Sequence, residues 1–231
     1  MTIRYYDLAG ADDEHRFSPY CWRIKLALAH KGLAAESIPW RFTDKDAIAF
    51  SGQGKVPVLV DGETVLFDSW EIACYLEDAY PHSPSLFGGD AGQALALFIK
   101  HWAEQVLQPG IFPMVVKDIF DRVHPRDRDY FRRSREERLG RSLEEVQADR
   151  EARLPAFRQS LEPLRSTLQV QPFLGGAHPH FADYIVFGIF QWARCVSPLQ
   201  LLEQTDLVWA WRERLLDLFD GLARRAPGCG P

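Results

Sequence analysis

The stretch Ser18-Pro19-Tyr20-Cys21-Trp22-Arg23 decides how this sequence is interpreted, because it has the pattern of a helix start placed soon after a strand. Residues 3–8 are rich in β-branched and aromatic types and predict a short buried strand. The apolar residues after Trp22 predict a helix that ends at Gly32. Ser18 is then the N-cap, and Pro19 takes the first helical position, where its missing N–H costs nothing. A hydroxyl at this point lies beside unpaired backbone donors, a setting that favours a bound anion such as a thiolate.

Three interpretations of this motif remain open at this stage. The first is a helix cap with no chemical role. The second is a dithiol redox site of the C-x-x-C type, in which Ser18 replaces the first cysteine and leaves Cys21 without its partner. The third is a serine whose hydroxyl donates a hydrogen bond to the thiolate of a bound thiol compound. The motif alone does not choose among them.

Composition excludes several classes of protein. The 231 residues, 46% of them hydrophobic, can bury a large core and predict two domains. A net charge of −5 with acids and bases interspersed predicts no nucleic-acid partner and no anionic membrane surface as partner. No apolar run approaches the roughly 18–20 residues of a membrane span, and the first residues lack a secretion signal, so we expect a cytoplasmic protein.

The four cysteines predict free thiols and no metal site. They are scattered along the chain, at Cys21, Cys74, Cys195 and Cys229, without the spacing of metal ligands. In a reducing compartment such cysteines stay unpaired. We therefore expect no metal cofactor.

The order of segments predicts an α/β unit followed by a helical bundle. Strand patterns at 35–40, 56–60 and 64–67 and a helical pattern at 69–80 complete an α/β domain over residues 1–81. A linker rich in proline and glycine follows, and every segment of a second domain, residues 90–231, has a helical pattern. Within it, a capping box at Ser142 predicts the start of a long helix, and residues 181–196 are apolar nearly all round, as in a central buried helix.

Four motifs in this order resemble the glutathione transferase family. They are Ser18-Pro19-Tyr20, Gly54-Lys55-Val56-Pro57, Asp68-Ser69, and Phe173-Leu174-Gly175-Gly176 followed by Phe181-Ala182-Asp183-Tyr184. The resemblance covers nearly the whole chain and implies a thioredoxin-like N-terminal domain and an all-α C-terminal bundle. Within the family, the charged segments between Asp127 and Pro155 are most similar to bacterial glutathione-dependent β-aryl etherases and fungal FuA-type transferases. One departure is His180, where the family usually places Ser or Thr before Ala-Asp.

The resemblance implies that glutathione is the co-substrate and that Ser18 is the catalytic residue, holding its thiolate. A cis-Pro57 would leave the backbone of Val56 free to pair with the cysteinyl residue of glutathione. Asp68 and Ser69 match the family's pair that holds the γ-glutamyl end, and Lys55 is placed to bind the glycyl carboxylate. A thiol pKa near ~8.5 falls by ~2 units for roughly 2.7 kcal/mol of preferential binding to the anion. One charge-assisted hydrogen bond of about 1.5–3 kcal/mol supplies much of that, so no separate general base is needed.

The second substrate is expected to be a hydrophobic aromatic molecule. Trp102 and Phe112 are the first candidates for its walls, with Phe120, Phe190 and Trp192 behind them, although aromatic residues at helical spacing also serve as plain core. The resemblance favours attack on an electrophilic carbon, with cleavage of β-aryl ethers as the family-level expectation. Two alternatives remain: a binding protein for aromatic ligands with little turnover, and a thiol reductase that uses Cys21. The family default is a homodimer.

Overall fold

The computed structural model describes residues 2–229 of the chain. Its N-terminal part is built on a four-stranded sheet with the strand order β2-β1-β3-β4. Strand β1 runs parallel to β2 and antiparallel to β3, and β4 pairs antiparallel with β3 at the sheet edge. The strands are β1 (Ile3–Leu8), β2 (Ala35–Trp40), β3 (Val58–Asp61) and β4 (Thr64–Phe67).

Two helices and one 3₁₀ segment complete this part. Helix α1 (Pro19–His30) connects β1 to β2, and α2 (Ser69–Ala79) follows β4. A 3₁₀ segment, Lys45–Ser51, lies between β2 and β3. The sequence placed the start of the third strand at 56, whereas β3 begins at Val58. Pro57 has no N–H to donate to the ladder, so regular pairing starts after it.

The remaining elements are all helical. A π-helical segment, Ala103–Leu107, joins the first two of these helices, and a 3₁₀ turn, Pro125–Asp127, precedes the third. The helices are α3 (Asp90–Trp102), α4 (Gln108–Arg122), α5 (Arg128–Leu139), α6 (Leu143–Gln147), α7 (Arg150–Ser160), α8 (Glu162–Leu168), α9 (Phe181–Val196) and α10 (Leu207–Gly221).

The sequence predicts a long helix after Ser142, and this prediction is wrong because the helix is short. The capping box is present, since Ser142 Oγ accepts from the Glu145 N–H at 3.2 Å and Glu145 accepts from the Ser142 N–H at 2.9 Å. The helix that it starts, α6, has only five residues. Asp149 adopts the left-handed conformation, with φ 53°, and breaks the chain between α6 and α7.

Helix α9 is the central helix of the bundle, as the sequence predicts. Nearly all its side chains are buried, including the carboxylate of Asp183. That carboxylate accepts four N–H donors: from the backbone of Leu174 (2.7 Å), Gly175 (2.9 Å) and His180 (3.0 Å) and from the Trp211 indole (2.9 Å). His180 at the N-cap makes no cap bond with its own side chain, so Asp183 carries the capping interaction. The buried carboxylate therefore fastens the preceding loop and α10 to the start of α9.

The two parts of the molecule meet where α1 packs on α9. A Cβ atom at Gly188 would stand only 2.5 Å from the carbonyl oxygen of Pro19. Glycine is required at this position because the backbones of the two helices approach closely there. The first turn of α1 therefore rests directly on the centre of the helical bundle.

The predicted fold class, a thioredoxin-like α/β domain with an all-helical C-terminal part, is confirmed. The domain boundaries at 1–81 and 90–231 stay a prediction. Across residues 2–229, none of the helices is long and apolar enough to cross a membrane.

Candidate active site

Ser18 has the geometry that the sequence predicts for a helix N-cap. Its backbone is extended, with φ −66° and ψ 126°, and its Oγ accepts a hydrogen bond from the Cys21 N–H at 3.2 Å. The side chain is almost fully buried, and it lines a large cavity. Because the N–H of Cys21 uses a lone pair of Oγ, the hydroxyl proton remains free to be donated to a ligand.

The cavity lies between the N-terminal part and the helical bundle and has a volume of about 780 Å³. The N-terminal part contributes Ser18, Lys55 and Val56 to its lining. The helical bundle contributes an opposite wall that includes Phe112 and Trp192. The cavity therefore has a polar side, which includes the helix N-cap Ser18, and an opposite aromatic side.

The loop before β3 forms part of the polar side. The Val56–Pro57 peptide bond is cis, as the resemblance implied. Lys55 is exposed at the cavity and is joined there by Lys45, which the sequence analysis did not select. The Lys45 Nζ donates to the carbonyl oxygen of Gly54 at 2.5 Å and lies 4.8 Å from the centre of the Trp40 ring. The sequence offered no signal for it beyond a polar segment between two strands.

Asp68 and Ser69 begin helix α2, beside the cavity and outside its lining among residues 2–229. Asp68 is exposed, has φ 68°, and caps the helix by accepting from the Trp70 N–H at 2.8 Å. Ser69 is buried, and its Oγ accepts from the Arg23 guanidinium at 3.4 Å. The helix start thus presents a carboxylate and a hydroxyl next to a buried cation.

An ion pair with one fully buried partner connects this helix start to the cavity. Arg23 is fully buried, and its Nη1 donates to Glu104 Oε1 at 2.7 Å. Glu104 lies in the π-helical segment and lines the cavity. Nearby, the Tyr20 hydroxyl donates to Gln108 Oε1 at 2.9 Å, and burial raises the pKa of Tyr20. These bonds join α1 to the bundle at the cavity floor, and the sequence pattern gave no indication of either.

The aromatic wall contains only part of the predicted set. Phe112 and Trp192 both line the cavity, with ring centres 6.4 Å apart and planes inclined by 16°. Trp102, Phe120 and Phe190 do not line it among residues 2–229. Trp102 is half-buried at the end of α3, Phe190 packs edge-on against Trp211, and Phe120 packs against Phe131. Phe112 therefore lies in the wall of the described cavity and Trp102 does not, and their contact with a second substrate stays a prediction.

Helix α5 supplies a second set of lining residues that the sequence analysis did not select. Tyr130, Phe131, Arg135 and Arg138 all border the cavity. A charge-rich helix gives no sequence signal for which of its cations faces inward.

Cys21 is unsuited to redox chemistry in this structure. Its side chain is fully buried beneath α1, and its Sγ lies 3.8 Å from the carbonyl oxygen of Tyr6. Burial raises the pKa of the Cys21 thiol well above its usual range. A buried, protonated thiol is a poor nucleophile.

The described residues, 2–229, contain no group of three or more side chains that could hold a metal ion.

Family models match both parts of the chain. Residues 17–79 match the glutathione S-transferase N-terminal domain, and residues 94–223 match the glutathione S-transferase C-terminal domain. Together these matches follow the order of the two parts seen in the structure.

Curated relatives and solved structures agree with these models. Glutathione S-transferase Z2 of Arabidopsis thaliana is 35% identical over 96 residues, which cover 39% of this chain and 41% of the relative, so the alignment spans less than half of that protein. Glutathione S-transferase 4 of Zea mays is 27% identical over 206 residues, covering 86% of this chain and 83% of the relative. Glutathione transferase GSTFuA3 of Phanerochaete chrysosporium is structurally similar with a TM-score of 0.77 and 26% identity, covering 96% of this chain and 92% of that one.

A fourth neighbour is the glutathione S-transferase CsGST63524 of Ceriporiopsis subvermispora, solved in complex with glutathione. Its TM-score is 0.81 at 21% identity, over 95% of this chain and 97% of that one. The similarity supports the shared fold. The expected closeness to β-aryl etherases stays a prediction.

Proposed function

Because the chain belongs to the glutathione S-transferase family, we propose that it is a glutathione transferase in which Ser18 stabilises the thiolate of glutathione. The observation that carries the proposal is the Ser18 hydroxyl, which lies at a helix N-cap inside the cavity and has its proton free to donate. The N-terminal end of α1 adds a favourable field for an anion. One charge-assisted hydrogen bond of about 1.5–3 kcal/mol, together with this field, is enough to lower the thiol pKa by ~2 units.

The other parts of glutathione have matching groups on the N-terminal side. The backbone of Val56 is positioned to pair with the cysteinyl residue, next to the cis peptide bond. Asp68 and Ser69 would hold the γ-glutamyl ammonium and carboxylate at the start of α2. Lys55, together with Lys45, would bind the glycyl carboxylate.

The acceptor substrate is a hydrophobic aromatic molecule that lies against Phe112 and Trp192. The thiolate sulfur attacks an electrophilic carbon of this acceptor and forms a C–S bond. With a β-aryl ether, the C–O bond breaks at the same carbon, and the phenolate leaves with the electron pair and is protonated by water. No oxidant or reductant is required.

Of the two rival functions, the cavity is compatible with the binding protein and the burial of Cys21 opposes the thiol reductase. A binding protein for aromatic ligands would use the same wall and would turn over little at saturating glutathione. A thiol reductase would need Cys21 accessible and ionised, and burial of that thiol opposes both.

The protein would act as a homodimer. Large apolar side chains are exposed on the sheet edge, on α3 and before β3, where solvent contact is unfavourable. The most exposed of these are Phe50 (52%), Phe67 (49%), Leu95 (68%) and Phe98 (67%). Sedimentation equilibrium of the wild type and of a Phe98→Glu variant measures whether this surface holds two chains together.

The test of the catalytic proposal is substitution of Ser18, followed by turnover of glutathione with a panel of aryl ethers and other aromatic electrophiles. Ser18→Ala removes the donor, so we expect turnover to fall by about tenfold or more while the KM for glutathione changes little. Ultraviolet absorbance of bound glutathione should show its thiol pKa moving upward. Ser18→Thr keeps the hydroxyl and should restore most of the turnover.

A third variant separates catalysis from helix capping. Ser18→Asp keeps a good N-cap acceptor, so α1 stays stable, but it places a negative charge beside the thiolate and removes the donor. Its far-ultraviolet circular dichroism should match that of the wild type while its activity is lost. Unchanged turnover and an unchanged pH profile in Ser18→Ala would overturn the proposal and leave Ser18 as a cap.

A further inference from the structure

The charged groups that line the cavity are mostly cations. Among the described residues they are Lys45, Lys55, Arg135 and Arg138, against a single carboxylate, Glu104. Glu104 is already neutralised, because Arg23 lies 2.7 Å and Lys100 3.1 Å from its two oxygens. The cavity therefore carries uncompensated positive charge. The two lysines belong to the glutathione side, which leaves the two arginines of α5 without a role in the proposed function.

Arg135 is packed against two aromatic rings, and among residues 2–229 it has no acidic partner. Its guanidinium carbon lies 4.4 Å from the centre of the Phe131 ring and 5.0 Å from that of Phe42. Its Nη1 donates to the neighbouring Ser134 Oγ at 2.9 Å, whereas its buried Nε finds no acceptor among residues 2–229. Burial lowers the pKa of Arg135, and the charge of Arg138 acts in the same direction. The planar guanidinium of an arginine packed between aromatic rings is a fork of N–H donors that is already oriented to bind an anion.

Arg138 connects this fork to the aromatic wall. Its guanidinium carbon lies 5.0 Å from the centre of the Phe112 ring, which stacks on Trp192. The acidic groups near α5 are used elsewhere, since Arg132 pairs with both Glu136 and Glu144. Among residues 2–229, neither Arg135 nor Arg138 forms an ion pair. A ligand ring against Phe112 would therefore have two free guanidiniums beside it.

We propose that the acceptor substrate is an aromatic molecule with a carboxylate, which Arg135 and Arg138 bind while its ring lies against Phe112 and Trp192. This inference rests on the proposed function, because it names the class of acceptor for the same cavity. Carboxylates suit the pair because guanidinium forks bind them through two parallel hydrogen bonds. Each such bond is stronger in a partly buried cavity than at an open surface.

The test is direct binding, which does not depend on turnover. The probes are 2-naphthoate and its neutral analogue 2-naphthamide, added to the full-length protein and followed by calorimetry and by quenching of tryptophan fluorescence. We expect the carboxylate to bind at least about tenfold more tightly than the amide, as charge-assisted bonds predict. The preference should weaken as salt concentration rises. In the double variant Arg135→Gln/Arg138→Gln it should fall to less than about twofold.

Two control variants keep the test interpretable. Arg133→Gln removes an exposed arginine of the same helix that does not line the cavity, and it should keep the full preference. Arg135→Lys/Arg138→Lys retains the charge without the fork and should keep part of the preference, which guards against a misfolded glutamine variant. Equal affinity for both probes in the wild type would overturn the proposal. So would a preference that survives the double glutamine variant or one that is lost equally in Arg133→Gln.

The failure of this inference is distinguishable from failure of the proposed function. Ser18→Ala should keep the preference for 2-naphthoate, because Ser18 does not contact the carboxylate in this arrangement. If Ser18→Ala loses turnover while the wild type shows no preference, the transferase proposal stands and the acidic acceptor is rejected. If Ser18→Ala retains full turnover and the preference is present, the acidic acceptor stands and the role proposed for Ser18 is rejected.

Discussion

The two sides of the cavity are built in different ways. The side assigned to glutathione depends on backbone features that each occupy a few consecutive residues: the N-cap at Ser18, the cis peptide bond before Pro57, and the start of α2 at Asp68. The side assigned to the acceptor brings together side chains of separate helices, among them Phe112 of α4 and Trp192 of α9. The first side is set by local conformation, and the second by how the helices pack.

This difference has a physical consequence for substitution. A backbone-based site tolerates changes in distant packing as long as its loops keep their conformation. A wall assembled from several helices changes with any substitution that shifts one of them. We therefore expect a local substitution to change the binding of one substrate alone. A substitution that shifts a packed helix should change the binding of both.

The largest effect is expected from Asp183→Ala, which acts on the framework of the acceptor side. The substitution leaves four N–H donors without their acceptor in a buried environment, so the free energy of unfolding should fall by about 3–5 kcal/mol. Urea unfolding followed by tryptophan fluorescence measures the loss. Ser142→Ala provides the comparison, since it removes the N-cap of α6 and should cost about 1 kcal/mol. Similar losses in the two variants would contradict the framework role of Asp183.

A smaller and more selective effect is expected from Phe112→Ala. Loss of this ring from the wall should raise the KM for an aromatic acceptor by about tenfold, with the KM for glutathione unchanged. Trp102→Ala should change the KM for the acceptor less than about twofold, because Trp102 does not line the described cavity. Steady-state kinetics with each substrate varied in turn decides the matter. A larger effect of Trp102→Ala would restore the original sequence prediction.

The smallest effect is expected on the glutathione side from Lys45→Ala and Lys55→Ala. Both lysines are exposed at the cavity, so each substitution should raise the KM for glutathione by about two- to fivefold, and less at high salt. Lys117→Ala, at a lysine of α4 that pairs with Asp121 and does not line the cavity, should leave the KM for glutathione unchanged. An increase in the KM for the acceptor alone would contradict the division of the cavity into two sides.

The sequence predicts most of the glutathione side because its signals are local. A cap at Ser18 and a helix start at Ser69 are each encoded in adjacent residues, and the structure contains both. The cis bond before Pro57, which the family resemblance implied, is also present. Lys45 was not predicted, because its contact with Gly54 depends on the path of the loop that leads back to the sheet. The buried helix α9 was predictable from its uniformly apolar composition.

The acceptor side is less predictable for a specific reason. Trp102 and Phe112 flank the π-helical segment Ala103–Leu107, whose wider turn rotates the helix that follows it relative to the helix before it. The ordinary helical period therefore does not place Phe112 on the same face as Trp102. The same segment carries Glu104 to the cavity floor. Arg135 and Arg138 could not be distinguished from the other cations of α5, because their difference lies only in tertiary position.

The close approach at Gly188 constrains how the two parts of the molecule can move relative to each other. With the Pro19 carbonyl pressed onto the backbone of α9, the N-terminal part cannot swing away from the bundle without separating two packed helices. Helix α5, by contrast, buries a single residue, Phe131. The contact between Pro19 and Gly188 therefore fixes the first turn of α1, with Ser18 at its N-cap, against the centre of the bundle.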